Sequence, residues 1–397
     1  MQSIMLAAAV ATSMLVTPLA AAAPEPVAES WSVDVSAVST EDTNVTVADG
    51  RLRLGRGRSA AAGAADPAPL GSLTTVPRRL AAPADRVTAV VDAAEPPGTA
   101  VLVEVRGQGR AEGLWGEWTP AGDPLAAPTI VVQVRVTLRG TPDGTGPEVG
   151  AVRVTAHPAA TTAVAPVGEP LSFDVFATRV GLVGRTTANG HVITERDQFV
   201  ALPSRRGLSG RGTGDYTVRV CAANGRCAWA PVWDVGPWNT RDDYWNVPGV
   251  RQNWADLPQG LPQAQAAVQS GYNGGRDQYD RRVRNPAGID LGDGTFWDGL
   301  RLSNNGWVTV TYLWTGGGAA VGTVTTTGGP LNVRTTPDTV NAPVGLAGNH
   351  AMLPIACQVA GQWATGTQGT SDLWLRIAPG RYVAKAHVNA APTPPCG

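Results

Sequence analysis

The sequence has little charge. Asp, Glu, Lys and Arg make up 16% of its 397 residues, against about 25% in an ordinary globular domain. The formal net charge is −1, so there is no bulk positive field for a phosphate backbone, and nucleic-acid binding by that route is excluded. Lysine is almost absent: Lys385 stands alone among 31 basic residues, the rest being Arg. Histidine is scarce as well. His157, His191, His350 and His387 never fall as HxH or HxxxH, and no CxxC knuckle occurs. Both absences argue against a metal centre, and neither a metal nor another cofactor is expected. There is no GxSxG elbow, Walker loop or dinucleotide fingerprint. Beyond the first 23 residues no stretch is apolar enough to cross a bilayer.

What the chain does have is small, apolar and aromatic. Gly (48) and Pro (32) make about a fifth of it, which gives many loops without reaching the composition of a disordered chain. The 43% hydrophobic content is mostly Ala and Val, suited to β-rich packing, and 13 Trp outnumber the 6 Tyr and 4 Phe together. Residues 4–23, IMLAAAVATSMLVTPLAAAA, are uncharged and end in small residues of the A-x-A type. This is a secretory signal pattern over residues 1–23, and it predicts export with no stable membrane insertion after cleavage, with an uncleaved membrane anchor as the other reading. The four cysteines allow three pairings. Cys221 and Cys227 bracket AANGR, whose Asn-Gly is a strong hairpin signal. That leaves Cys357 with Cys396, and two disulfides fit an oxidising compartment.

The fold class read from the pattern is mostly β. Over 24–157, Val101, Val103 and Val105, then Val132, Val134, Val136 and Leu138, alternate as half-buried strands do, and a β-sandwich is expected. Within it, 55–83 reads as a long loop or linker. Trp115 and Trp118 sit between strands, either at a core edge or exposed for sugar stacking. Residues 158–170, PAATTAVAPVGEP, read as a linker. Residues 171–315 then hold short strands, long loops and one helical stretch at 262–270; LSFDVFATRVG and WVTVTYLW are their first and last strands. A Gly/Thr-rich break at 315–330 precedes a small unit over 322–397.

Four segments of the middle unit occur in order: GRTTANG (184–190), FVALPS (199–204), APVWDVGPWN (230–239) and GIDLGDGTFWDGL (288–300). The set resembles the RlpA-like double-psi β-barrel family, related in fold to expansins, barwin and small endoglucanases. The resemblance implies a six-stranded barrel with a shallow groove for a glycan strand. Some members are lytic transglycosylases, and expansin relatives bind and loosen wall polymers without cutting. LNVRTTPDTVNAPVG (331–345) and LWLRIAPGRYV (373–383) are similar to bacterial SH3-like domains, whose members often bind cell-wall peptides.

Asp234 is the candidate acid/base. It matches the family's Asp in the strand that runs into the Gly-Pro loop, and Trp233 and Trp238 flank it. A carboxyl among indoles loses hydration, which raises its pKa. A raised pKa suits a general acid on a glycosidic oxygen, and a transglycosylase needs only one such group. The alternative is that the Asp accepts loop N–H bonds and fixes the turn. Trp233, Trp238, Tyr244 and Trp245 are the candidate glycan contacts. Asp242 and Asp243 are secondary acidic candidates, with a solvated loop as the other reading. Asp290 and Asp293 are read as turn-holding residues, and the Arg276, Arg281, Arg282, Arg284 run as a solvated loop. The family's His before the LP segment is absent from FVALPS, which bears on cleavage more than on binding. The expected partner is therefore cell-wall polysaccharide or peptidoglycan, bound by an exported, wall-associated protein with no or weak cleavage. A lytic transglycosylase using Asp234 and a secreted protein-interaction module remain as alternatives.

Overall fold

The computed structural model describes residues 27–55, 68–108, 113–159, 168–317 and 320–397. The expected signal segment (1–23) and most of the 158–170 linker lie outside the described residues. The fold is mostly β, with a closed six-stranded barrel and several further sheets.

The first unit comprises β1 (Glu29–Val33), β2 (Val45–Ala48), β3 (Arg51–Leu54), β4 (Leu70–Thr74), β5 (Arg78–Ala94), β6 (Ala100–Gly107), β7 (Thr119–Pro120), β8 (Pro124–Arg139) and β9 (Glu148–Pro158). These nine form one hydrogen-bonded sheet. It folds over its own core because the two longest strands change partners along their length. β5 pairs first with β8 and then with β9, and β8 goes on to pair with β4 and β6. The expected alternation is realised: Val132, Val134, Val136 and Leu138 are buried with Val149, Val152 and Val154. The expected loop at 55–83 is corrected, since β4 and the start of β5 fall inside it. Its short, apolar Leu70 and Leu73 pair onto β8 in spite of the Pro/Gly-rich flanks.

The second unit is the barrel: β10 (Ser172–Val180), β11 (Val200–Leu202), β12 (Thr217–Ala222), β13 (Cys227–Val235), β14 (Ala287–Gly292) and β15 (Gly306–Tyr312). The order β11-β14-β10-β15-β12-β13 closes through a β11–β13 pairing, and the β10–β14 and β11–β13 pairs are parallel. Inward residues from these strands, among them Val175, Ala177, Val200, Leu202, Val218, Val220, Ile289, Leu291, Val308 and Val310, fill the barrel. The predicted hairpin holds, with Cys221 opposite Cys227 and bonded to it. The predicted helix is α1 (Gln263–Ser270), which ends at Gly271 in the left-handed conformation that caps helices.

The third unit contains β16 (Ala320–Val324), β17 (Leu331–Val333), β18 (Gly345–Ala347), β19 (Met352–Ile355), β20 (Cys357–Gly366), β21 (Gly369–Ala378), β22 (Arg381–Ala384) and β23 (Val388–Ala390). They make two three-stranded sheets and one hairpin. That hairpin, β17–β18, continues the barrel sheet, because β18 pairs in parallel with β13. Cys357 and Cys396 form the second disulfide and tie the tail to β20. Among the described residues no helix is long and apolar enough to cross a membrane.

The first unit is also joined to the barrel. Arg106 lies between the rings of Trp115 and Trp118, 4.3 and 4.4 Å from their centres, and pairs with Asp215 at 2.7 Å. Trp115 and Trp118 are buried against the barrel core, so the core-edge reading holds and they are not sugar platforms. Glu117 between them accepts hydrogen bonds from the indoles of Trp245 and Trp314 and from Asn246.

Candidate functional site

Strand alternation and register together determine which side chains leave the barrel outward. In β14 Ile289 and Leu291 point into the core, so Asp290 between them points out. Its partner on β10 is Thr178, its partner on β11 is Ala201, and Ala201 is in turn opposite Asp234 on β13. Thr178, Asp290, Ala201 and Asp234 thus form one row across the sheet, which Asp234 enters through a register shift in the β11–β13 pair, two residues after the inward Val232. Adjacent strands lie ~4.8 Å apart, so the two aspartates are about 10 Å apart along the backbone.

The two carboxylates have opposite surroundings. Asp234 is 1% exposed. Its carboxylate accepts hydrogen bonds from the backbone N–H of Ala188 at 2.8 Å and of Val235 at 2.9 Å. Ala188 belongs to the 184–190 turn, whose Gly190 has φ +89°, a conformation that costs glycine little and other residues much. The TANG-like turn therefore lies over the aspartate. This corrects the expectation of an acid open to a groove. The hydrogen-bonded, turn-fixing alternative is what the structure contains.

Asp290 is partly exposed and lines an open cleft of about 560 Å³ with Thr178, Arg179, Leu182, Pro237, Trp238, Arg281, Asn285 and Asn305. Protein encloses it on its other sides, and that desolvation pushes its carboxyl up to about 6, against a hydrogen bond from the Thr178 hydroxyl that acts to lower it. This corrects the turn-holding reading: Asp290 sits within a strand. Asp293 does not fix its own turn either: its carboxylate pairs at 2.6 Å with Arg179 of β10, far away in sequence, and makes no side-chain cap bond to the turn that follows it.

Trp238 forms a wall of the cleft. Gly236 at φ +146° and Pro237 bring the chain around to it, and Trp238 itself has φ +61°. That left-handed conformation costs a bulky residue ~1–3 kcal/mol and persists only where its surroundings enforce it. Here the indole N–H donates to Asn285 Oδ1 at 3.0 Å, and the guanidinium of Arg281 donates to the Trp238 carbonyl at 2.8 Å. Arg281 is held in turn by Asp277. The Arg run is thus not uniformly solvated: Arg281 is part of the cleft, whereas Arg282 and Arg284 are exposed.

The other expected contacts lie elsewhere. Tyr244 and Trp245 are fully buried and pack with Tyr312 and Trp314 inside the barrel. Neither can meet a glycan, because Glu117 of the first unit fills the space beside the indole of Trp245. Asp242 and Asp243 are buried, not solvated. Arg251 pairs with Asp242, whose carboxyl is pushed up to about 6 by burial against the pull of that guanidinium. Asp243 accepts from the Gln252 N–H at 2.9 Å and from Asn246 at 3.0 Å. Both anchor the loop that carries α1, since Asp242 also accepts from the Gln263 N–H.

Trp233 borders a smaller cleft of about 300 Å³ at the boundary with the third unit. It is almost buried, and its indole N–H donates to the Thr213 carbonyl at 2.8 Å. The fold brings two of the scattered histidines there. His191 lies 2.7 Å from Asp197 and 4.6 Å from the Trp233 ring centre, and the His350 ring centre lies 6.4 Å from that of Trp233. The sequence spacing of the histidines gave no sign of this meeting. Among the described residues no group of three or more His, Cys, Asp or Glu could hold a metal ion.

Compared with known proteins, residues 171–311 match the family model described as "Domain of unknown function (DUF8814)". That span coincides with the barrel. No curated protein matches the chain. No solved structure matches it either.

Proposed function

We propose that the protein is exported and binds a linear cell-wall polysaccharide, peptidoglycan or a related glycan, in the cleft floored by Asp290. The observation that carries this reading is the strained Trp238 beside a partly exposed carboxyl and a ring of short polar side chains. An indole face takes the apolar C–H face of a pyranose ring. Thr178, Asn285 and Asn305 supply neutral donors and acceptors, which suit hydroxyl and acetamido groups. The six-stranded closure with two parallel pairs and the two disulfides support the resemblance to RlpA-like double-psi barrels and an oxidising, extracytoplasmic setting. The third unit, similar in sequence to SH3-like domains, adds a second wall-directed module.

Cleavage is the second reading, and one observation favours it. A carboxyl pushed up to about 6 is partly protonated in mildly acidic medium, as a general acid requires. In this reading the acid is Asp290 and not Asp234, which is sealed. Co-sedimentation of the full chain with purified peptidoglycan tests binding, and mass spectrometry of the supernatant for 1,6-anhydro-muropeptides tests cleavage. The binding reading expects sedimentation, weakened at least tenfold in Asp290→Asn, with no anhydro products. Anhydro products that vanish in Asp290→Asn would establish the transglycosylase. Absence of both sedimentation and products would leave the protein-interaction reading.

A further inference from the structure

We infer that the Asp290 cleft is one end of a longer groove, whose second subsite is the aromatic pair Trp307 and Phe176, so that the ligand is a chain held along its length. The inference rests on the glycan reading above. It starts from the outer face of β10 and β15, where Ser172, Asp174, Thr309 and Thr311 are short, polar and hydrogen-bonded across the strands: Ser172 to Thr311 at 3.1 Å and Thr309 to Asp174 at 2.6 Å. Such a face faces water without difficulty. Trp307 breaks the pattern, with 48% of its surface exposed on the same face.

Register places it. Trp307 is directly opposite Phe176, and their rings meet edge to face at 5.7 Å. A contact of that type occupies an edge or one face of the indole, so at least one face is left to solvent. Two residues along β10 from Phe176 comes Thr178, on the same side of the strand, and Thr178 is the cleft residue bonded to Asp290. Two residues before Trp307 comes Asn305, which also lines the cleft and accepts from the Arg179 N–H at 3.1 Å. The aromatic pair is therefore continuous with the cleft on both strands. Two strands across and two residues along separate Trp307 from Asp290 by about 12 Å of backbone, farther than one pyranose ring spans.

Another exposed indole near the cleft is less suited. Trp297 has two guanidiniums, those of Arg179 and Arg196, 4.5 and 4.8 Å from its ring centre, where Trp238 has one, that of Arg281, at 5.7 Å, so its π-surface is the more fully engaged. Trp307 has the unengaged face, on a strand pair whose other outward side chains are mostly short and polar.

The test compares ligands of two lengths on the full chain by calorimetry. The probes are glycan strands released from peptidoglycan by an amidase, and the disaccharide that a muramidase releases from those strands. Wild type is expected to bind the long strands at least tenfold more tightly than the disaccharide. Trp307→Ala should lose about three- to tenfold on the long strands, the usual worth of one aromatic stacking contact, and leave disaccharide binding as it was. Trp307→Phe should restore most of the loss, which separates stacking from a defect of folding. Trp238→Ala should weaken both probes. If Trp307→Ala binds long strands as wild type does while Trp238→Ala fails, the second subsite is wrong and the cleft stands. If wild type binds neither probe, the glycan reading itself fails and takes this inference with it.

Discussion

Asp290 and Asp234 stand in the same row of the same barrel, two strands apart, and differ in what lies over them. A peptide turn closes over Asp234 and gives its carboxylate the Ala188 N–H, beside the Val235 N–H of its own strand. Asp290 faces a cleft and is hydrogen-bonded by the Thr178 hydroxyl. The pleat turns Asp290 outward, a register shift between β11 and β13 brings Asp234 into the same row, and the loops decide which of them water reaches. A carboxylate satisfied by N–H groups is a structural element, whereas one with unspent acceptor capacity at a surface is available to a ligand.

The comparison is broken most forcefully at Asp234. Asp234→Ala would leave the Ala188 and Val235 N–H groups without their acceptor in a buried place. The expected cost is about 3 kcal/mol, seen as a lower urea midpoint with an unchanged slope. The fraction that stays folded should bind peptidoglycan as wild type does. A variant with the wild-type midpoint would show that the turn does not depend on this carboxylate.

Asp290 gives a smaller effect, of the opposite sign. Its carboxyl is raised from 3.8 to about 6 by desolvation, so the folded state disfavours the ionised form. That interaction favours folding when the group is protonated, and the advantage is lost as pH rises from about 4 through 6. Asp290→Asn should therefore match wild type near pH 4 and exceed it by about 1–2 kcal/mol at pH 7, after allowance for screening at the open edge. Asp242, raised to about 6 in the same way, keeps its share of the slope in both proteins, so the difference between the two curves isolates Asp290. Glycan affinity should fall in the same variant. A difference that does not vary with pH would mean that the Asp290 carboxyl titrates normally.

The strands that build this comparison were legible in the sequence, but the exposure of their residues was not. Alternation in LSFDVFATRVG and WVTVTYLW gives β10 and β15, and Asn-Gly between cysteines gives the β12–β13 hairpin. Alternation in GIDLG would also have turned Asp290 outward, opposite to Ile289 and Leu291, had it been applied there. Period 2 reports a face, not a depth. Whether Asp234, Asp290 or Trp245 is covered depends on contacts far apart in sequence: Ala188 meeting Asp234, the parallel pairing of β10 with β14, and Glu117 of the first unit meeting Trp245. Tyr244 and Trp245 read as glycan contacts because the segment that covers Trp245, with Glu117, comes from more than a hundred residues away. Likewise, Asp242 and Asp243 look like a solvated pair until Arg251 and the start of α1 are placed against them.

The smallest expected effect sharpens the contrast from the other side of the pH scale. At the boundary with the third unit, burial raises the Asp197 carboxyl, but the His191 ring and the Thr194 N–H and hydroxyl outweigh it, so its pKa lies below the usual value. A depressed acid contributes stability that is present above its unfolded value of 3.8 and is lost as pH falls through the folded one. Asp290 weakens the fold as pH rises, and Asp197 weakens it as pH falls. Asp197→Asn should cost about 1 kcal/mol at pH 7, because the amide keeps one acceptor for Thr194 and loses the charge that His191 faces. Its acid unfolding should be shallower than that of wild type below about pH 4. Acid titrations of the two proteins followed by near-ultraviolet circular dichroism, where Trp233 against His191 contributes, would show the curves converging at low pH. Parallel curves would mean that the His191–Asp197 contact contributes no charge-dependent stability, and that the two clefts do not differ in the way their acids are held.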